Sequence, residues 1–262
     1  MKKSLNTSAL VTADSPKGHR ATETFRAQYN KAGLTEETAQ ILNEHSGFAA
    51  YLLAGIRRFS MKAPNYALAQ SILGADLITP EEVTKACQNV VYGDEQIAAL
   101  AESLPSEDVL KWCKENGYAV IPAPPTAMST LEVRALKPDL FYSKNGGWYA
   151  VQKFAREDKT SLGWLLIKKT LVQNSTSKTW NEQCKLLSAL EKVPNTAEMC
   201  WFITTYYEVR GVRLFEGIYV RTSSLDSDGN RVLVGRFVGH GLYVFNFWDD
   251  LRYDNFGLSA AR

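Results

Sequence analysis

The sequence predicts an α+β protein: a helical N-terminal region followed by a mainly antiparallel sheet with one or two crossing helices. Three observations carry this. Helix-capping patterns followed by apolar residues at helical spacing fill the chain from about residue 35 to 116. Beyond Gly117 the pattern changes to short runs rich in Val, Ile, Tyr, Phe and Trp, bounded by Gly, Asp and Asn. The two kinds of signal are segregated along the chain, whereas a parallel βαβ arrangement would alternate them.

Residues 1–34, rich in Ser, Thr, Lys and Ala, show little periodicity and predict a loosely ordered leader. Thr35-Glu-Glu-Thr38 can cap a helix carrying Ile41, Leu42, Phe48, Leu52 and Ile56, with Gly47 and Gly55 weakening its continuity. Thr79-Pro-Glu-Glu82 combines an N-cap hydroxyl, a proline at the first helical position and a glutamate that can reach back to the cap amide. Asp94 and Ser106 are further cap candidates, and Gly117 suits a left-handed stop. Tyr118-Ala-Val-Ile121 is short and β-like, so the helical region is placed at 35–121. Pro122-Ala-Pro-Pro125 is the clearest linker, because proline continues neither a helix nor a ladder. The sheet region follows at 126–262.

Within it, Ser129-Thr-Leu-Glu132 caps a short helix ending before Pro138. Strands are expected at 147–154, 163–170, 215–222, 231–237 and 241–247, with Asp226-Ser-Asp-Gly229 as a hairpin turn. A helix is expected to cross between strands at 180–191. For 196–210 two readings stand. Asn195-Thr-Ala-Glu198 has the form of a capping box and Met199, Phe202, Ile203 and Tyr206 fit one helical face, while the aromatic and β-branched content favours a strand.

A chain of 262 residues that is 45% hydrophobic can fill a core without metals or disulfides. Thirty basic against 28 acidic residues leave a net charge of +2, too balanced for wholesale nucleic-acid or membrane binding by charge. Cys87, Cys113, Cys184 and Cys200 form no C-x-x-C pair and read as reduced, mostly buried thiols of a cytoplasmic protein. Met1-Lys-Lys3 is not followed by a sustained apolar stretch, and no run approaches the ~20 apolar residues of a membrane span. No membrane partner is expected.

The stretch from Leu171 to Gln183 is dense in hydroxyl groups. Thr179-Trp-Asn-Glu182 is a capping box, and Ser175, Thr176, Ser177 and Lys178 lie in the turn before that helix, where free amides could hold an anion. No glycines accompany them, which excludes a Walker-type phosphate loop. The Ser-Thr-Ser run also resembles the middle motif of the R-S-E class of ADP-ribosyltransferases, whose arginine and glutamate would fall to Arg156 and Glu208. The helix cap accounts for the run without that family.

Pro138-Asp139 followed by Glu157-x-Lys159 resembles the PD-(D/E)xK nucleases over about twenty residues. That resemblance implies a Mg²⁺ ion held by Asp139 and Glu157 with Lys159 on the attacking water. The chain departs from the family where Gln152, Lys153 and Arg156 interrupt the apolar strand that should lead into the motif. Asp226, Asp228 and Asn230 imitate calcium ligands, but Arg231 stands where the loop needs glycine, so they predict a turn. Trp248-Asp-Asp250 and Asp254 form an acidic cluster in which Asp249 or Asp250 should pair with Arg252. His19, His45 and His240 are too scattered to predict a metal site or a serine triad.

Aromatic and basic residues interleave along several expected strands, which would place Lys153, Lys169, Arg221 and Arg231 opposite an apolar core face. Sheets of that kind hold single-stranded nucleic acid. The segments Ile78-Thr-Pro-Glu-Glu-Val83, 174–180 and 250–262 are similar to parts of a family of uncharacterised bacterial proteins; the resemblance implies a bacterial or mobile-element origin and brings no activity. No nucleophile, base and electrostatic stabiliser stand in recognisable linear spacing. The expectation is a non-catalytic binding or accessory protein without a cofactor, its partner a protein or single-stranded nucleic acid. The alternative is the Mg²⁺-dependent nuclease.

Overall fold

The computed structural model describes residues 12–44, 46–47 and 66–262. The chain divides into two compact units, 1–60 and 61–262. In the first, Ser15 caps α1 (Pro16–Lys31) by accepting the Gly18 amide at 3.1 Å, and proline opens the first turn. The expected leader is therefore helical over these residues, as a helix with almost no apolar face. Thr35 accepts the Thr38 amide at 3.3 Å ahead of α2 (Glu36–Glu44). The expected continuation through Phe48, Leu52 and Ile56 lies outside the described residues.

The second unit begins with α3 (Ala67–Leu73), a 3₁₀ turn at Gly74–Asp76 and α4 (Pro80–Ala86). The Thr79 and Glu82 capping box forms in both directions. For α5 (Asp94–Glu102) the cap is Gly93 rather than Asp94: Gln96 Oε1 accepts the Gly93 amide at 2.9 Å, which makes Asp94 the first helical residue. Ser106 caps α6 (Glu107–Glu115). Strand β1 (Tyr118–Pro122) follows, buried throughout.

Residues on the two sides of Pro122-Ala-Pro-Pro125 belong to the same unit. Strand β1 pairs antiparallel with β2 (Trp164–Lys168), Leu77 bridges Val120, and the main apolar cluster holds Ile78 and Val83 together with Phe141 and Val244. Between the strands lie α7 (Thr130–Leu136), two 3₁₀ turns at Pro138–Leu140 and Trp148–Val151, and α8 (Phe154–Glu157). The strand expected at 147–154 is absent. Alternation would bury Tyr149 together with Val151; the observed turns bury Tyr149, Phe154 and Ala155 and leave Val151 74% exposed.

The helix expected over 180–191 stops early, as α9 (Trp180–Cys184), and the chain beyond it turns through short i to i+3 bonds. Residues 196–210 form α10 (Thr196–Arg210), started by the Asn195 and Glu198 capping box. Every residue from 196 to 206 is buried, and Trp201 donates its indole N–H to the Pro122 carbonyl at 2.9 Å. Helix α10 packs against α4, α7, β3 and β4 and is the centre of the core.

The second sheet has the order β5-β4-β3-β6, from β3 (Tyr219–Leu225), β4 (Arg231–Val238), β5 (Gly241–Phe247) and β6 (Phe256–Leu258). Its pairs are antiparallel except β3 with β6, and the turn at Asp226 to Gly229 joins β3 to β4 as expected. The fold is α+β, as the segregated pattern implied. Among the described residues no helix is long and apolar enough to cross a membrane.

Candidate binding face on the four-stranded sheet

Period-two alternation divides this sheet. Val220, Val232, Val234, Leu242 and Val244 point into the cluster around α10. Tyr219, Leu233 and Phe256 form a separate cluster with Tyr243 and Phe247 on the other face. The register sets Leu233 opposite Phe245, and Tyr219 opposite Phe256. The rings run on from one another: Tyr219 to Phe245 is 6.0 Å between centroids, Phe245 to Phe247 is 5.9 Å, and Phe247 to Tyr253 is 5.2 Å.

At the β5 edge, Tyr142 stacks on Tyr243 at 4.2 Å with an interplanar angle of 18°. The pair exists because backbone lies against backbone. The Tyr142 amide donates to the Leu242 carbonyl at 3.0 Å, and a Cβ on Gly241 (φ +109°) would sit 2.5 Å from the Phe141 carbonyl carbon. Partial burial and the adjacent Tyr142 hydroxyl push the Tyr243 phenol above its usual range. The exposed Arg236 guanidinium lies 5.8 Å from the Tyr243 ring. Tyr142 is 57% exposed, and Phe245 and Tyr253 are 41% exposed each, so ring faces and edges are open to a ligand.

The other half of this face is covered, and the expected basic residues account for it. Arg221 and Arg231 do stand opposite the core face, but both are buried. Arg221 donates to the carbonyls of Lys178 (2.9 Å), Leu251 (2.7 Å) and Trp248 (3.3 Å) and to Gln183 Oε1 (3.0 Å). Arg231 forks onto Asp249 at 3.1 and 2.9 Å and lies 3.8 Å from the Trp180 ring. Together they hold α9 and residues 248–251 against the sheet. Asp249 therefore pairs with Arg231, and Arg252 with Glu182, instead of with each other. Lys153 and Lys169 are not on this sheet: Lys153 adjoins α8 and faces Glu157 at 3.5 Å, and Lys169 follows β2 and binds Asp76 at 2.5 Å.

The turn before α9 serves the same cover. Ser175 is buried and its hydroxyl accepts the Leu258 amide at 3.0 Å. The Ser177 amide donates to the Tyr253 carbonyl, the Trp180 amide to the Asp249 carbonyl, and the Thr179 and Glu182 amides take part in the capping box. Ser175 and the Ser177 amide are therefore committed to the fold in the turn that the sequence suggested as an anion site, with Thr176 and Lys178 on the same turn. Asp226 gathers the amides of Asp228 and Asn230 and the side chain of Asn246, which makes it a turn-closing group.

The nuclease set is dispersed among different partners. Asp139 pairs with Lys144 at 2.5 Å, Glu157 with Lys153, and Lys159 with Glu132. Arg156 is engaged with the carbonyls of Ala150 and Val151. Among the described residues no group of three or more His, Cys, Asp or Glu is placed to hold a metal ion.

The Lys159 contact has a measurable consequence. Lys159, then the Ser129 amide and hydroxyl, holds the Glu132 carboxyl down to about 2. A carboxyl depressed in the folded state contributes stability above its unfolded value of about 4.3, and that contribution is lost as pH falls toward 2. Carboxyl-carbon NMR should find Glu132 titrating near 2, and rising toward its ordinary value in Lys159→Met. An unchanged midpoint in that variant would refute the assignment.

The strand part of this aromatic face could have been found in the sequence, because Tyr243, Phe245 and Phe247 alternate within an expected strand. Tyr142 and Tyr253 carry no such signal; chain crossings place them. Comparison with protein-family models, with curated proteins and with solved structures finds no match for the chain.

Proposed function

We propose that the protein is a binding protein whose working surface is the aromatic face of Tyr142, Tyr243, Phe245 and Tyr253, and whose ligand is single-stranded nucleic acid. The observation that carries this reading is that Phe245 on β5, with Tyr142 and Tyr253 from the flanking chain, exposes its ring beside the half-buried Tyr243 on a sheet whose reverse side is packed on α10. A ring held by strand pairing accepts an unpaired base with little loss of side-chain freedom, and such stacking contributes about 1–3 kcal/mol per base. Arg236 can add one phosphate or cation–π contact at the edge. Because few cations flank the face, the salt dependence should be shallow, with a slope of roughly −0.7 for each phosphate neutralised.

Fluorescence anisotropy with short labelled single strands, against the matching duplex, tests the reading. Single strands should bind better than duplex, and Phe245→Ala and Tyr142→Ala should each weaken binding by about tenfold while leaving circular dichroism unchanged. Equal affinity for duplex, or full binding by both variants, would reject it and turn attention to a protein partner.

A further inference from the structure

Away from the sheet face, three chain segments distant in sequence meet around an open cavity of about 400 Å³. Cys87 follows the end of α4, Lys137 follows the end of α7, and Glu208 lies in the last turns of α10. All three line the cavity, together with Val90, Asp139 and Leu140. The Cys87 thiol donates to Glu208 Oε2 at 2.9 Å. The Lys137 ammonium lies 2.6 Å from the same oxygen, donates to the Thr205 hydroxyl at 2.7 Å and sits 4.3 Å from the Trp201 ring centroid. The Lys137 side chain is 2% exposed and that of Glu208 23%.

A buried ammonium needs a counter-charge, so the Lys137 and Glu208 pair alone could be structural. That role requires neither a thiol donating to the shared carboxylate oxygen nor a cavity reaching all three groups. A thiol, a base within hydrogen-bond reach of it and a cation beside both are the parts of a base-assisted nucleophile.

We propose that Cys87, Glu208 and Lys137 form a thiol acylation site for a small ester or thioester substrate entering this cavity. In the first step the Cys87 Sγ to acyl-carbon bond forms as the thiol proton passes to Glu208 Oε2, and the adjacent Lys137 ammonium stabilises the negative charge arising on the carbonyl oxygen. Collapse breaks the bond to the leaving oxygen or sulfur, which takes the proton from Glu208. The products are an acyl thioester on Cys87 and a free alcohol or thiol. Water, deprotonated by Glu208, then attacks the thioester and releases a carboxylic acid with the thiol restored.

Burial, opposed by Lys137 and reinforced by Glu208, pushes the Cys87 thiol up to about 12, so at neutral pH it keeps its proton until the base removes it. Burial also raises Cys113 and Cys200, and neither hydrogen-bonds a carboxylate among the described residues. Cys184 is the most exposed of the four cysteines. Simple accessibility therefore predicts that Cys184 reacts first, and the proposal predicts Cys87.

The full chain is treated with p-nitrophenyl acetate at neutral pH, nitrophenolate release is followed by absorbance, and the acetyl group is located by peptide mass spectrometry after acid quenching. The expected result is acetylation at Cys87 ahead of Cys184, a release burst abolished in Cys87→Ser, and a rate lowered by about 100-fold in Glu208→Gln. Acetylation of Cys184 first, or an undiminished Cys87 rate in Glu208→Gln, overturns the proposal. If Glu208→Gln does not fold, the order of Cys87 and Cys184 in the unaltered protein decides alone. The sheet-face residues take no part, so this result is independent of the oligonucleotide measurements.

Discussion

Replacing Arg221 by leucine is expected to lower the stability of the second unit by about 3–5 kcal/mol, because several neutral acceptors lose their donor together. The substitution does more than delete contacts. The Lys178 and Leu251 carbonyl oxygens and Gln183 Oε1 lose the Arg221 donor, while the Trp248 carbonyl keeps the Leu251 amide, and each acceptor left buried without a partner costs about 1–3 kcal/mol. Leucine is too short to fill the guanidinium's place and offers no N–H. Urea unfolding should show the midpoint reduced, and the melting temperature should drop by roughly 10 °C for a unit of this size. Residues 248–251 and α9 should exchange amide protons faster than the inner strands, because Arg221 is what joins them to β3. A loss below 1 kcal/mol would show that the cover is held by other contacts.

Trp201→Ala is the second large effect. The side chain is fully buried in the centre of α10, and truncating a buried tryptophan costs about 3–5 kcal/mol in lost transfer energy and residual cavity. Two specific contacts go with it: the indole N–H bond to the Pro122 carbonyl, which ties α10 to β1, and the ring face under the Lys137 ammonium. Trp201→Phe keeps most of the volume and removes the N–H, so it should cost about 1–2 kcal/mol through the unsatisfied carbonyl. Chemical denaturation of both variants separates packing from hydrogen bonding. Equal losses would mean that the hydrogen bond, and not the volume, dominates.

Helix starts were legible where one side chain satisfies a nearby amide. Thr79 with Glu82, Ser129 with Glu132, Thr179 with Glu182 and Asn195 with Glu198 all form the boxes that their spacing implies. Strands β4 and β5 were legible for a comparable reason, since one of their faces meets the core and alternation follows. Helix α10 was legible at its start but ambiguous along its length. It is enclosed on every side from 196 to 206, so the residues beyond the face of Met199, Phe202, Ile203 and Tyr206 are buried as well, and its aromatic and β-branched content reads equally as a strand. The run at 147–154 failed in the opposite way, because its aromatic residues serve a turn that buries Tyr149 and Phe154 instead of a strand.

The candidate sites divide along the same line. Aromatic alternation at Tyr243, Phe245 and Phe247 was present in the sequence, and so were the arginines of β3 and β4. Whether an outward arginine meets solvent depends on what crosses over it: α9 and residues 248–251 turn Arg221 and Arg231 from ligand contacts into structural ones. The meeting of Cys87, Lys137 and Glu208 left no linear trace, with successive members 50 and 71 positions apart.

The sequence by itself determined the segregated α+β class, the side-chain capping boxes at Thr79, Ser129, Thr179 and Asn195, the β3–β4 turn and the even charge balance, because each depends on neighbours within a few residues or on composition alone. Tertiary structure decided that α10 is a helix, which part of the outer sheet face is open, and which charged groups are buried. Those outcomes depend on contacts between residues tens of positions apart, and it is burial, not local pattern, that sets whether a polar side chain binds a ligand or holds the fold together.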